Sequence, residues 1–181
     1  MWTALFVLIG LLVLVAGSAG IGFSIMKRGY GARPEILKAA SGEAVKALVV
    51  YQPSVTSASS DVAHSIAKGL NEAGAEVTLD TPGDHLSSDI SGYSIVVFGS
   101  PNYGGSPAQP MLDYLNRIDD FSGRQVLLFS TSGSAEGRLE FDKMEALLHG
   151  VKPENTLKIA AAEVGRNMDA AYRFGADAVG R

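Results

Sequence analysis

Cysteine is absent from the 181-residue sequence, and histidine occurs only three times. Without cysteine the chain can form no disulfide, thiolate zinc site or iron–sulfur cluster, and it has no cysteine nucleophile. The formal net charge is -4, from 15 Lys and Arg against 19 Asp and Glu. A nucleic-acid-binding protein depends on a basic surface, so we expect no nucleic-acid partner.

The residues of common catalytic and metal sites are also missing or scattered. His64, His85 and His149 are isolated in the sequence, without a second histidine or carboxylate at metal-ligand spacing. The G-x-S-x-G motif of serine hydrolases does not follow any predicted strand. We therefore predict no metal site and no catalytic residue.

Charged residues are missing altogether from residues 2–26. As a helix, this segment would exceed the ~30 Å hydrocarbon core of a bilayer. Trp2 stands at one end, and Lys27 and Arg28 follow the other. The pattern predicts a transmembrane anchor over residues 1–26, then a juxtamembrane linker over 27–45 that could contain a helical turn.

The side of the membrane follows from the position of the basic flank. Because Lys27 and Arg28 follow the apolar run, the positive-inside bias predicts a single-pass protein of the cell membrane with its remaining chain in the cytoplasm. A cleaved signal peptide is the alternative, with small residues at 17–19 as its cleavage site. Such a peptide has a charged start and an apolar run of only about 7–15 residues.

Five short apolar runs alternate with helix-like amphipathic segments after residue 45. This alternation predicts parallel strands joined by right-handed helical crossovers. The simplest architecture is an α/β, doubly wound, five-stranded parallel sheet in the order 2-1-3-4-5. The predicted strands are 46–51, 76–80, 94–99, 125–130 and 157–164, and the predicted helices are 61–74, 106–118, 139–149 and 167–179.

Three loops follow strands at the edge where such sheets bind ligands. Loop 52–61 is rich in hydroxyl groups and leads into a helix, whose N-terminus can hold a phosphate. Loop 99–107 has three glycines and two prolines around Tyr103, a ring that could stack on another planar ring. Loop 130–137 offers hydroxyls and backbone amides. Each loop also suits an ordinary turn, but together they suit a mononucleotide with a flat ring system.

Three stretches, 49–70, 95–115 and 127–134, together resemble the flavodoxin family. The resemblance extends over residues 46–181 and implies a flavodoxin-like sheet, which the transmembrane helix predicted from residues 1–26 would precede. It also implies an FMN-binding domain with non-covalent FMN as cofactor. The first stretch departs from the usual family pattern, because Ala58 replaces an expected glycine and Ser60 an expected threonine.

The same resemblance implies which residues would bind the cofactor. Around the phosphate they are Ser54, Thr56, Ser57, Ala58, Ser59 and Ser60. Around the isoalloxazine ring they are Pro101, Asn102, Tyr103, Gly104, Thr131, Ser132 and Gly133.

The resemblance implies electron transfer through FMN, with unidentified redox proteins as partners, and the predicted anchor would make the carrier a membrane-tethered protein. Residues 46–181 contain 11 basic and 17 acidic side chains, and an acidic carrier is steered toward basic partners. One alternative is an FMN-dependent quinone or NAD(P)H oxidoreductase, or a porphyrinogen-oxidising relative. Another is a flavin-free interaction module of the same fold.

Overall fold

A six-stranded sheet with helices on both faces organises the part of the chain that the structure describes. The computed structural model describes residues 34–40 and 45–180. In chain order, their elements are β1 (Glu35–Leu37), β2 (Lys46–Tyr51), α1 (Ala58–Glu72), β3 (Glu76–Asp80), β4 (Ile95–Pro101), α2 (Gln109–Arg117), β5 (Gln125–Ser132), α3 (Leu139–Glu145), β6 (Asn155–Ala160), a 3-10 helix (Ala161–Arg166) and α4 (Met168–Val179).

The strands lie in the order β1-β3-β2-β4-β5-β6. Strands β2 to β6 pair in parallel, and only β1 is antiparallel to its neighbour. Successive side chains of a strand point to opposite faces, so Ala47 and Val49 join the core under α1 and α4, while Leu48 and Val50 join the core under α2 and α3. The predicted α/β class with a mostly parallel sheet is confirmed.

The predicted number of five strands is wrong, because residues of the predicted linker add an edge strand. Ile36 pairs with Thr78 in an antiparallel register. The segment is held by Asn71, which donates to the carbonyl of Lys38 at 2.9 Å, and by Lys38 Nζ, 3.0 Å from a carboxylate oxygen of Glu76. These contacts come from distant parts of the chain, so local sequence could not indicate a strand rather than a helical turn.

The transmembrane anchor predicted for residues 1–26 lies outside the described residues. Within 34–40 and 45–180, no helix is both long and apolar enough to cross a bilayer. The longer helices there are amphipathic; α1, with 15 residues, is shorter than the ~20 that a span requires. This finding contradicts the predicted localisation as a single-pass membrane protein with a cytoplasmic domain, and we withdraw that prediction.

Helices α1 and α4 pack in direct backbone contact. A Cβ atom on Gly69 would lie 2.0 Å from the carbonyl oxygen of Tyr172. Reciprocally, a Cβ atom on Gly175 would lie 2.2 Å from the carbonyl oxygen of Ile66. Since real side chains do not approach backbone this closely, glycine at both positions allows the two helices to reach their observed separation.

Replacing Gly69 with Ala should therefore destabilise the fold. Alanine favours an isolated helix by about 1 kcal/mol over glycine, but its methyl group would force the helices apart. We expect a net loss of about 2 kcal/mol in the free energy of unfolding, typical of an overpacked core, measured by urea denaturation. The control is Gly92→Ala, at an exposed position with nothing within 4 Å of the new atom. Equal stability of the two variants would contradict the helix contact.

Candidate functional site

The loops after β2, β4 and β5 meet at the carboxyl edge of the sheet around one cleft. Its volume is about 230 Å³. None of its eleven lining residues is charged. They are Ser54, Val55, Thr56, Ala58, Pro101, Asn102, Tyr103, Thr131, Ser132, Gly133 and Ala161. Nine of the thirteen predicted site residues are thus brought together.

The loop after β2 caps the N-terminus of α1 with its own hydroxyls. Ser54 Oγ accepts a hydrogen bond from the N–H of Ser59 at 3.2 Å, and Thr56 Oγ1 accepts one from the N–H of Ala58 at 3.3 Å. Ser54 Oγ also donates to the carbonyl of Thr56 at 2.7 Å. Helix N-termini leave such N–H groups without partners inside the helix, so these hydroxyl oxygens lie where an anion's oxygens could bind.

Three predicted phosphate residues have other contacts and do not line the cleft. Ser57 Oγ donates to Asp61 at 2.7 Å, on the solvent-exposed side of the loop. Ser59 is fully buried, with its Oγ 2.6 Å from Thr131 Oγ1. Ser60 Oγ lies 3.5 Å from the hydroxyl of Tyr51. Ser59 therefore joins two of the site's loops, while Ser57 and Ser60 face away from the cleft.

The loop after β4 is a tight hairpin that presents Tyr103. Gly104 and Gly105 both have positive φ, at 63° and 82°, as in the two-residue turns that favour glycine. The N–H of Tyr103 donates to Ser106 at 2.9 Å, and the N–H of Gly105 donates to Oδ1 of Asn102 at 2.8 Å. The half-buried Tyr103 lines the cleft, whereas the exposed Gly104 supplies the turn and does not.

The loop after β5 is held by a buried ion pair. Lys158 Nζ lies 2.8 Å from Glu140 Oε1, and the two side chains are only 9% and 2% exposed. The same ammonium donates to the carbonyls of Glu136 at 2.6 Å and Gly137 at 2.9 Å. Because Asn102 N–H also donates to the carbonyl of Thr131 at 2.8 Å, this loop is anchored on both sides of the cleft.

A larger groove adjoins the cleft on the other side of the serine-rich loop. Its volume is about 940 Å³, and it runs between the outer face of α1 and the 3-10 helix with α4. Thr56, Ala58 and Ala161 line both the groove and the cleft. The two cavities are therefore neighbours with a common wall.

Comparison with known proteins identifies relatives of this fold. No protein-family model and no curated protein matches the sequence, but several solved structures superpose on the chain. A flavodoxin from the domain Archaea superposes with a TM-score of 0.63 at 19% identity, covering 75% of this chain and 97% of that one. The fold is flavodoxin-like.

Two further structures extend the comparison. The flavodoxin of Streptococcus pneumoniae TIGR4 gives a TM-score of 0.58 at 17% identity, over 75% of this chain and all (100%) of that one. The NADH:FMN oxidoreductase EMOB, in its apo form, gives 0.56 at 15% identity, over 75% and 90% of the respective chains. At these identities the likeness is one of fold.

Sequence reasoning missed two lining residues of the flavodoxin-like cleft and the whole adjoining groove. Val55, which is 63% exposed, sits inside the predicted loop. Ala161 follows β6, outside the three loops considered, and residues 161–164 were predicted as strand but form the start of the 3-10 helix. A short apolar run cannot show where strand gives way to helix, so no sequence signal marked this wall.

The Glu140–Lys158 pair predicts a pH-dependent stability. Burial raises the pKa of the Glu140 carboxyl, but the ammonium of Lys158, by contact and by charge, and the backbone N–H of Glu140 itself outweigh this and hold the pKa below its ordinary value of 4.5. A carboxyl with a lowered folded-state pKa stabilises the protein above its unfolded pKa, and that stability is lost as the pH falls through the folded value.

Glu140→Gln should therefore cost about 2 kcal/mol of unfolding free energy at neutral pH. The difference from the wild type should shrink as the pH falls below 4.5, which urea denaturation at a series of pH values would measure. Glu136→Gln, on the exposed part of the same loop, is the matched control. A difference that stays constant with pH would show that Glu140 does not carry this charge.

Proposed function

We propose that the chain is a flavin-dependent electron-transfer protein that binds FMN non-covalently in the cleft. The observation that carries the proposal is the convergence of the three predicted loops on one uncharged cleft at the carboxyl edge of the sheet. Ligands of open α/β sheets bind at this edge. The likeness to flavodoxins and to an NADH:FMN oxidoreductase supports the same reading.

The donor set at α1 fits a phosphate. Thr56 Oγ1 can donate to an anion, and Ser54 Oγ can do so once it releases its hydrogen bond to the carbonyl of Thr56. The N–H groups of Ala58 and Ser59 already point to these two oxygens. The helix N-terminus adds a favourable partial positive charge. A phosphate is thus held by neutral donors and the helix dipole, with Ser59 acting through its buried bond to Thr131 rather than by contact.

The other two loops fit a flat ring. Pro101, Asn102 and Tyr103 form one wall of the cleft, and Thr131, Ser132 and Gly133 form the other. When bound, the flavin supplies the redox chemistry, and the protein supplies orientation and electrostatics. Tyr103 offers a ring for stacking, and the tight glycine turn beside it keeps the backbone close to the cleft. No lining residue needs to act as acid, base or nucleophile.

The partner in this proposal is a redox protein that docks over the mouth of the cleft. Val55 and Leu139 are 63% and 64% exposed. Val55 lines the cleft, and Leu139 lies against the glycine turn, 3.2 Å from where a Cβ of Gly105 would be. Exposed apolar side chains beside a cleft are typical of protein contact sites, and the acidic balance of residues 46–181 would steer a basic partner.

An oxidoreductase acting on NAD(P)H or a quinone is the second candidate, and the structural likeness to an NADH:FMN oxidoreductase favours it. Mixing the flavin-loaded protein with NADH or a quinone separates the two. A carrier should turn over these small molecules slowly while exchanging electrons with a basic redox protein. Rapid turnover of the small molecule would favour the enzyme.

Thr56→Asp should expel FMN while sparing riboflavin. An aspartate at this position can still cap Ala58, so the helix should keep its start, but its charge repels the phosphate. We expect at least tenfold weaker FMN binding, about 1.4 kcal/mol, with a much smaller change for riboflavin, which lacks the phosphate. Flavin fluorescence titration measures both.

The control for this variant is Ser122→Asp, an exposed hydroxyl position in the turn before β5. It should leave both flavins unaffected. Equal loss of FMN and riboflavin in Thr56→Asp, with the fold intact, would place the phosphate elsewhere. Failure of the wild-type protein to bind any flavin would overturn the proposal and favour the flavin-free interaction module.

Tyr103→Ala should make the midpoint potential of the bound flavin less negative. The face of an aromatic ring is negative, so a stacked Tyr103 disfavours the additional negative charge of reduced flavin. For about 1 kcal/mol of interaction the shift is about 20 mV on a two-electron couple, measured by spectroelectrochemistry. Tyr103→Phe, which keeps the ring, should shift the potential much less. Identical potentials in all three proteins would show that Tyr103 does not stack.

A further inference from the structure

The wall of the cleft that follows β5 continues into an exposed loop. Residues 133–139 are all exposed, between the buried Ser132 and Glu140. Such a segment buries little apolar surface, and segments of this kind open most easily in a folded protein. Since Ser132 and Gly133 line the cleft, the shape of this wall depends on the polar groups that hold the loop.

Hydrogen bonds connect this wall to the far end of the loop. The Ser132 hydroxyl donates to the carbonyl of Ser134, and the Ser134 hydroxyl accepts the N–H of Glu136 at 3.1 Å. The carbonyls of Glu136 and Gly137 then accept hydrogen bonds from Lys158 at 2.6 and 2.9 Å. A continuous series of polar contacts therefore leads from the cleft to the Lys158 ammonium.

Lys158 belongs to the strand beside the loop. Its backbone pairs with Ser130 in the ladder between β5 and β6, and its side chain is only 9% exposed. An ammonium has three N–H donors. Here a Glu140 oxygen at 2.8 Å is the third acceptor, beside the two loop carbonyls. Because a buried charge that loses its partners is costly, the ammonium keeps the loop attached to the sheet.

We propose that Lys158 is a positioning residue for the flavin, which acts by holding the loop that follows the Ser132–Gly133 wall. This inference rests on the proposed function, since the cleft would bind the flavin ring. Lys158 does not line the cleft, so it acts on the ring only through the loop. Glu140 has a different role, because its carboxylate balances the charge of the buried ammonium.

The two roles can be separated by removing the charges in turn. In Glu140→Gln the amide oxygen can still accept from Lys158, so the loop contacts remain while the charge balance is lost. The double variant Glu140→Gln/Lys158→Met leaves no unpaired ion in the interior but removes the donors to the loop. Replacing a buried ion pair by uncharged residues is often neutral or stabilising, so the double variant should be at least as stable as Glu140→Gln.

The test measures riboflavin and FMN binding to the full chain by fluorescence titration, together with unfolding in urea. We expect the double variant to bind both flavins about fivefold more weakly than Glu140→Gln, although its stability is no lower. Both flavins should be affected alike, because they share the ring. Glu140→Gln should bind both within about twofold of the wild type, despite its lower stability. A role in stability alone would make the affinity follow the stability.

The visible circular dichroism of bound FMN gives a second readout, since it reports the asymmetry of the ring's surroundings. At saturation the double variant should give an altered spectrum, and Glu140→Gln the wild-type spectrum. The matched control is Lys152→Met. This lysine precedes β6, is 83% exposed and lies 3.9 Å from Glu145, so its loss should change neither the affinities nor the spectrum.

A third variant breaks the same series of contacts at an exposed position. Ser134→Ala removes the hydroxyl that accepts the Glu136 N–H and leaves the buried ion pair intact. We expect it to bind both flavins about threefold more weakly than the wild type. It decides the question if the double variant does not fold, because unchanged binding in Ser134→Ala would then refute the inference.

Three outcomes would overturn the inference. Unchanged flavin affinity in the folded double variant would refute it and leave the proposed function intact. Equal weakening by Glu140→Gln and by the double variant would show that the charge balance, rather than the attachment of the loop, supports binding. Binding of neither flavin by the wild-type protein would overturn the proposed function and the inference together.

Discussion

The backbone contact between α1 and α4 is the constraint on which the site's surroundings depend. Gly69 faces the carbonyl of Tyr172, and Gly175 faces the carbonyl of Ile66, so the two helices approach as closely as their main chains allow. This contact fixes where the first turn of α4 and the preceding 3-10 helix lie beside α1. The groove and one wall of the cleft are consequences of that spacing.

The cleft itself depends on hydrogen bonds between neutral groups. Thr131 connects all three loops: its side chain lies 2.6 Å from the Ser59 hydroxyl, and its carbonyl accepts the N–H of Asn102 at 2.8 Å. A buried polar group that loses its partner costs more than the bond itself contributes, so these loops are kept in register. Behind them, the charges of Lys158 and Glu140 neutralise each other. The flavin proposed for this cleft would be recognised by dipoles rather than by ions.

The edge strand β1 contacts the groove beside α1. Glu35 Oε2 lies 3.2 Å from Nε2 of His64, a residue of the groove, while Asn71 holds the carbonyl of Lys38. The start of β1 therefore lies at the rim of the groove. Strand β1 and the 3-10 helix, which are far apart in sequence, thus both lie next to α1.

Local patterns in the sequence determined the alternation of strands and helices, the two-sided burial of β4 and β5, and the three loops at the carboxyl edge. Those features follow from hydrophobic periodicity and turn residues, which act over a few residues. The edge pairing of Ile36 with Thr78, the inward turn of Ser59 and the groove wall at Ala161 were decided by tertiary structure alone. Each depends on a partner tens of residues away. A strand edge or a helix face can pair with any segment that the fold places beside it, and local sequence does not specify that segment.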